Sequence, residues 1–350
     1  MIDGLFAGTK SVIAVATIAS ALNAAAQTIP NTTLTAIRGV TVGHATMPGR
    51  PTGCTAILVA SGAVAAVAQR GAAPATRDTA LLRIGSPIDR VDGISLAGGS
   101  AFGLDAASGV VHWIDEHVVG DRRSLPPIVP GAALIDLWVG GKPQIRPDAD
   151  CGYRAAGAAS SRPVEEGSVG AGAGATVGKM RGRDGAMKAG IGSTVIELPD
   201  GLQVGAIVAV NALGDVIDPR SGRVVAGIRN ADGSLADARK LLRSGEGSMP
   251  ARAGENTTIG VIVTNARLTK TEAARVATMA DDGYARAIVP IHTTADGDTV
   301  FALATGTWDG AVDVTRIGAL AADAMSDAIV RAATQATGAA GIPAVRDLRK

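Results

Sequence analysis

Asn256-Thr257-Thr258 stands between two unlike stretches. Before it, residues 243–255 (RSGEGSMPARAGE) are polar, contain Gly and Pro, and show no periodicity; after it the apolar run IGVIV begins at once. An exposed or irregular connection therefore feeds a hydroxyl residue at the mouth of a buried strand. A threonine hydroxyl is a weak nucleophile until a base takes its proton. One such base is the α-amine of the same residue, freed when the bond before it is cut. That amine has a reference pKa of about 8, so a useful fraction is neutral at pH 7. The same hydroxyl can make the cut by attacking the Asn256 carbonyl, forming an ester that water then opens. Asn suits the preceding position because it tolerates strained backbone better than most residues. Thr257 would then be both nucleophile and general base. Pattern alone also allows a plainer reading, a β-former at the start of a strand.

Other residues of chemical type carry less. Gly247-Ser248 is a second possible self-cleavage point, but Met249, Pro250 and Arg252 follow it, and Pro250 breaks a regular ladder. GAGAG at 170–174 is not GxGxxG before a helix. For a P-loop ending at Gly178-Lys179, a glycine is needed where Ala173 stands, and Met180 replaces Ser or Thr. His44, His112, His117 and His292 lack a paired Ser or Cys elbow and read as structural, with His292 set apart because it adjoins Asp296 and Asp298. Taken singly, Lys179 is a solvated loop lysine, Asn211 a turn former, and Asp296-Gly297-Asp298 a turn or a cation site with too few ligands.

These groups must be held by alternating short β-rich runs and longer helical patterns. Strands are expected at 55–60, 63–68, 193–198, 202–210, 258–264 and 299–304, and helices at 101–117, 271–287 and 314–333. Thr269 and Glu272 form a capping-box signature, and Ala273, Val276, Ala277, Ala280 and Tyr284 follow helical spacing. Pro126, Pro127 and Pro130 mark a loop.

With 350 residues and 47% hydrophobic content, the chain can bury a large core. Its 46 glycines fall at turns between apolar runs, so that core must be built from small side chains in close contact. Net charge is +1, with no basic tract and few stacking aromatics, which argues against nucleic acid. Lys10, the apolar run 11–22 and Ala24-Ala25-Ala26 read as a secretory leader, 1–26, with a periplasmic or secreted mature chain starting near Gln27. Asp3 fits that pattern less well, and the alternative is an ordinary N-terminal helix in a cytoplasmic protein. Nothing else approaches the roughly 18 uninterrupted apolar residues of a membrane span. Cys54 and Cys151 either pair in an oxidising compartment or serve as small core residues; with scattered histidines they make no zinc pattern.

Five segments in order resemble the S58 peptidase family, also called the DmpA family: LAGGSAFGLDAASGV at 96–110, GSVGAGAGATVGK at 167–179, VGAIVAVNALGDV at 204–216, ENTTIGVIVTNA at 255–266 and HTTADGDTVFALATG at 292–306. The Asn-Thr-Thr and DGDT runs are most similar to its nylon-oligomer (6-aminohexanoate-oligomer) hydrolase branch. The resemblance implies an α/β fold, a four-layer α/β/β/α sandwich, cut after Asn256 into a larger chain, 27–256, and a smaller one, 257–350, that form one domain. Processed heterodimers would assemble into a homo-oligomer, a tetramer of heterodimers. By the same resemblance Thr257 is the nucleophile and Lys179 the cation beside it, Asn211 is an oxyanion-hole amide, and Asp296 and Asp298 orient the ammonium and hydroxyl. Gly98, Gly99, Ser100, Ile135 and Asp136 align with the substrate-binding side. No metal or organic cofactor is implied. The partner would be a small amide or peptide: a short peptide, β-peptide, amino-acid amide or ω-amino-acid oligomer. The family usually has Tyr where this chain has Ile135, and the aminopeptidase branch has an acidic residue where it has Ala133. Hydrolysis is thus better founded than a strict aminopeptidase preference. Ornithine acetyltransferases share the fold and self-cleavage by resemblance but usually carry Gly before the Thr. A non-catalytic periplasmic binding protein would not need the intact nucleophile set.

Overall fold

One strand organises the architecture. The sequence pattern predicts two strands at 55–60 and 63–68, but the computed structural model, which describes residues 1, 31–117, 126–246 and 256–348, runs them together as β2 (Gly53–Gln69), following β1 (Val40–Thr46). Ser61-Gly62 reads as a turn and is instead a corner: Gly62 takes φ +67°, Ala60 and Ser61 are exposed, and the pairing with the next long strand slips between Leu58 and Ala63. Bulged strands of this kind pass from one sheet to another. Along β2 the odd positions Ile57, Val59, Ala63 and Ala65 enter one middle core. The even positions Cys54, Ala56 and Leu58 face a second core, and Ala66 faces a third.

The remaining strands take sides around that corner. β3 (Ala75–Arg77), β4 (Arg90–Ala97) and β5 (Gly131–Ala133) join β1 and the first half of β2; the second half of β2 pairs with β14 (Thr299–Ala304). Two small sheets stand apart from the main one, β6 (Thr176–Val177) with β7 (Met187–Lys188), and β10 (Asp215–Ile217) with β11 (Val224–Ala226) and β13 (Ile288–Val289); Val177, Met187, Val216, Ala226 and Ile288 join the core that Ala66 faces. The main sheet continues from β14 through β12 (Thr257–Thr264) and β9 (Gln203–Asn211) to β8 (Ile191–Glu197). β12 runs parallel to β14 and antiparallel to β9. The middle core holds Ile94, Leu96 and Ala132 from one half together with Ile207, Ile259, Val261 and Phe301 from the other, so the two halves face each other.

Helices cover both outer faces. α1 (Ala106–His117) and α2 (Ala149–Gly157) share the core of the first half. α4 (Lys270–Ala287) and α5 (Val314–Thr334) share that of the second, whereas α3 (Ala238–Ser244) and α6 (Val345–Leu348) are short. The layering is the expected α/β/β/α sandwich. The Thr269–Glu272 capping box is present, with both reciprocal bonds. The helix expected from 101 begins as 3₁₀ over Ser100–Asp105 before α1. No helix among the described residues is long and apolar enough to cross a membrane. The expected leader and the candidate cut at Ser248 lie outside those residues.

Glycine permits the close approach of α1 and α2. A methyl on Gly109 would stand 1.7 Å from Ala149 O, and one on Gly152 would stand 1.7 Å from Ala106 O. Beside this crossing Cys54 and Cys151 are bonded, with Cα atoms 6.2 Å apart. Gly152→Ala should therefore force the helices apart and cost about 2 kcal/mol or more in urea unfolding. Gly157→Ala on the same helix, whose methyl meets Trp113 Nε1 at an ordinary 3.4 Å, should be neutral or stabilising; equal losses at both positions would refute the crossing.

Candidate active site

The register of two antiparallel strands sets the first contact. Thr257, the first residue of β12, lies opposite Asn211, the last residue of β9. Both strands are buried along their length, because their branched and small residues face cores on both sides. Asn211 has no exposed surface, and its side chain is fully engaged on the oxygen side. Oδ1 accepts from Thr176 N at 3.1 Å, Thr176 Oγ1 at 3.2 Å and Lys179 Nζ at 3.0 Å. Nδ2 gives one of its two hydrogens to Ile135 O at 3.0 Å. Lys179 also donates to Asn211 O at 3.2 Å. Its position is set by backbone bonds from Gly178 N and Lys179 N to Gly214 O and Leu213 O.

The loop before β14 closes the other side. Asn256 N–H donates to Ala295 O at 3.3 Å, and Asn256 O accepts Gly297 N–H at 2.9 Å. The Thr257 hydroxyl donates to that same Asn256 oxygen. Gly297 can lie here only because it lacks a side chain: a methyl would stand 2.9 Å from Thr257 Oγ1 and 2.6 Å from Ala73 O. The loop is held from behind, where Gly71 N–H and Ala73 N–H bond Asp298 O and Asp296 O at 3.2 and 2.9 Å. Asp298 Oδ1 accepts Thr258 N–H at 2.7 Å, while Asp296 Oδ2 accepts Thr293 N and Oγ1 at 2.8 and 2.6 Å. Burial raises the Asp296 carboxyl to about 6; the Asp298 charge adds to the rise, and the Thr293 bonds and Lys179 ammonium oppose it.

The structure thus brings Thr257, Asn256, Lys179, Asn211, Asp296 and Asp298 to one buried place. Thr257 is 3% exposed and Lys179 6%. Gly98, Gly99, Ser100, Ile135 and Asp136 form the adjoining wall. Ser100 N–H donates to Leu134 O at 2.8 Å. Gly99 N–H donates to Asp136 Oδ1 at 2.9 Å. Asp136 is wholly buried and paired with Arg50 at 2.9 Å; its carboxylate braces the 98–100 turn, and Ile135 reaches the centre through its carbonyl.

Two charged groups were not found by sequence reasoning. Lys188, opposite Thr176 in the β6–β7 pair, is fully buried and donates to Ala173 O, Ala175 O and Ala189 O at 3.0, 2.6 and 3.1 Å. Burial lowers it to about 7 against the pull of Asp136. A lysine in a two-residue strand gives no sequence signal. The other is Asp281 on α4, wholly buried and 3.1 Å from His292 Nε2; one polar residue on an apolar helix face was its only trace. Among the described residues no group of three or more His, Cys, Asp or Glu could hold a metal ion.

Known proteins share this arrangement of chain. The model of peptidase family S58 matches residues 32–346. An uncharacterized aminopeptidase of Mycobacterium tuberculosis is 40% identical over 345 residues, 90% of this chain and 97% of the relative. The 6-aminohexanoate-oligomer endohydrolase of Paenarthrobacter ureafaciens is 31% identical over 310 residues, 84% of each chain. Among solved structures, the L-aminopeptidase D-Ala-esterase/amidase of Ochrobactrum anthropi, described as a variant of the Ntn hydrolase fold, superposes with a TM-score of 0.68 at 20% identity, covering 90% of this chain and 89% of that one. A β-aminopeptidase of Burkholderia sp. gives 0.66 at 21%, covering 91% and 92%. Both show the fold.

The electrostatics of the acid pair can be checked directly. Asp296 should titrate near pH 6 in side-chain carboxyl NMR of the intact chain. Asp298→Asn removes a like charge and should move that titration down towards the ordinary carboxylate range. An unchanged midpoint would show that the two carboxyls do not sense each other.

Proposed function

Because the chain belongs to peptidase family S58 and hydrolyses peptide or amide bonds, we propose that it cuts itself between Asn256 and Thr257 and works through an acyl-Thr257 intermediate. The observation that carries this reading is the shared oxygen of Asn256, which meets the Thr257 hydroxyl on one side and Gly297 N–H on the other. Attack of Oγ1 on the Asn256 carbonyl carbon drives charge onto that oxygen, where Gly297 N–H receives it. Collapse breaks the C–N bond as the hydroxyl proton passes to the departing nitrogen, leaves Asn256 esterified to Thr257, and frees the α-amine; water then releases the Asn256 carboxylate.

Burial supports the same order of events. Thr257, only 3% exposed, does not present its hydroxyl to an external amide until the Asn256 end leaves. Side-chain oxygens at the bond, Asn256 Oδ1, Thr258 Oγ1 and Asp296 Oδ1, are buried with no hydrogen-bond partner among the described residues, each at a cost of about 1–3 kcal/mol. A free α-amine supplies new donors there.

In turnover the neutral α-amine takes the Oγ1 proton and Oγ1 attacks the substrate carbonyl. Lys179 and the second hydrogen of Asn211 Nδ2 face the developing oxyanion, and the α-ammonium returns its proton to the leaving amine. Water repeats the sequence on the ester. Nearby Lys179 lowers the α-amine pKa and the two carboxylates raise it, so their balance sets the working pH. The substrate would be a short peptide, β-peptide, amino-acid amide or ω-amino-acid oligomer. We place the protein outside the cytoplasm: the Cys54–Cys151 bond suits an oxidising compartment and the leader expected at 1–26.

Denaturing mass spectrometry should find two fragments, the smaller one beginning at Thr257. Thr257→Ala should stay whole and inactive, and hydroxylamine should trap the parent's acyl group as a hydroxamate. A cut before Ser248 or Thr258, or a Thr257→Ala chain still cut, would overturn the assignment. In fully processed protein, Asn211→Ala should lower turnover roughly a hundredfold or more with little shift in pH profile, because a neutral amide carries no charge.

A further inference from the structure

His292 occupies a position that a histidine adopts only at a cost. Its φ of +55° lies in the left-handed region, which disfavours any residue bearing a β-carbon. What holds it is a set of carboxylates on two sides. Asp298 Oδ2 accepts both the backbone N–H of His292, at 3.1 Å, and its Nδ1, at 3.0 Å. Across the ring, Nε2 stands 3.1 Å from Asp281 on α4, and Arg70, just past the end of β2, closes the row with Nε 3.0 Å from the same carboxylate. The Tyr284 ring of α4 lies alongside, with centroids 6.1 Å apart.

Resting on the function proposed above, we infer that His292 is a positioning residue for amide hydrolysis: it takes up Asp298 Oδ2, leaving Oδ1 to hold the Thr258 N–H and, through it, the strand end that carries Thr257. Between two carboxylates the doubly protonated ring is favoured: Nδ1 donates to Asp298, and Nε2, 3.1 Å from Asp281, forms an ion pair with it. Burial works against that charge, but the bonds to Asp281 and Asp298 outweigh it and raise the ring from 6.5 to about 9. The titratable groups around it are Asp281, Asp282 and the Tyr284 hydroxyl from α4, Arg70 from just past β2, and Asp296 and Asp298 from its own loop, with Lys179 acting on Asp296. The clamp therefore holds below about pH 9 and releases as pH rises through that value. The ring then loses its charge and keeps a single N–H for the two carboxylates, while Asp298 keeps its bond to Thr258.

The test uses processed parent enzyme, His292→Gln and Asp281→Asn, assayed on short amides across pH, with His292 followed by imidazole NMR in uncut Thr257→Ala protein. The parent should lose kcat above about pH 9. In His292→Gln, kcat should fall roughly ten- to hundredfold with KM little changed, and that alkaline limb should disappear, since glutamine does not titrate. Asp281→Asn, which removes one of the two carboxylates, should lower the histidine midpoint by about one unit and move the limb with it. A structural contact alone would change thermal stability without moving the limb. An active parent whose His292→Gln variant keeps kcat and the same limb, or a histidine titrating at its ordinary pH in the uncut chain, overturns this inference alone. A parent with no amide hydrolysis overturns the function it rests on as well.

Discussion

The pairing of Thr257 with Asn211 is the constraint on which the rest depends. β9 and β12 are buried on both faces, and their alternating residues fill two different cores. A slip by one residue would send every branched side chain into the wrong core, so the register is fixed by the whole length of the ladder, not by the site. The site inherits this precision. Asn211 then gathers Thr176, Lys179 and the 135 carbonyl around a single amide, and none of these contacts requires a long flexible side chain to find its place unaided, apart from the lysine.

Around that amide the chain assembles buried charge in alternation, Lys179, the Asp296–Asp298 pair, His292 and Asp281, with the exposed Arg70 closing the row. Isolated, any of them would be costly to bury. In sequence along the site each meets an opposite neighbour, and the Asp296 carboxyl, raised first by burial, is raised further by the like charge of Asp298. Glycine makes the density possible, because at Gly297 the loop backbone comes against the nucleophile with no atom to spare.

Regular elements with strong local patterns were legible in the sequence. β14 was placed to the residue, β8, β9 and β12 within a few, and α4 announced itself by its capping box. The sequence pattern divides β2 because Ser61-Gly62 has the chemistry of a turn, and only long-range packing makes it a corner. β1 and β4 carry interior glycines that interrupt their alternation, and α2 is a nine-residue helix of small and charged residues, so none stands out by pattern. Thr257 stands out by its place between the irregular 243–255 stretch and an apolar run, whereas the roles of Lys179, Asn211, Asp296 and Asp298 come from resemblance to a family; by pattern each of those four is an ordinary loop or turn residue. Asp281, Lys188 and the place of His292 depend on contacts between elements far apart in the chain, which spacing does not report.

The two bonded cysteines both precede the proposed cut. In the cut form, then, the halves would share no covalent link at all. The smaller piece would be an inlay: β12 is laced to β9 and β14 to β2, with β13 against β10, so it fills the middle of a sheet whose borders belong to the larger piece. To come loose, it would have to unstitch all three seams together. Proteolytic maturation would thus divide the polypeptide while leaving the fold a single interlocked object, whose permanence is kinetic rather than covalent.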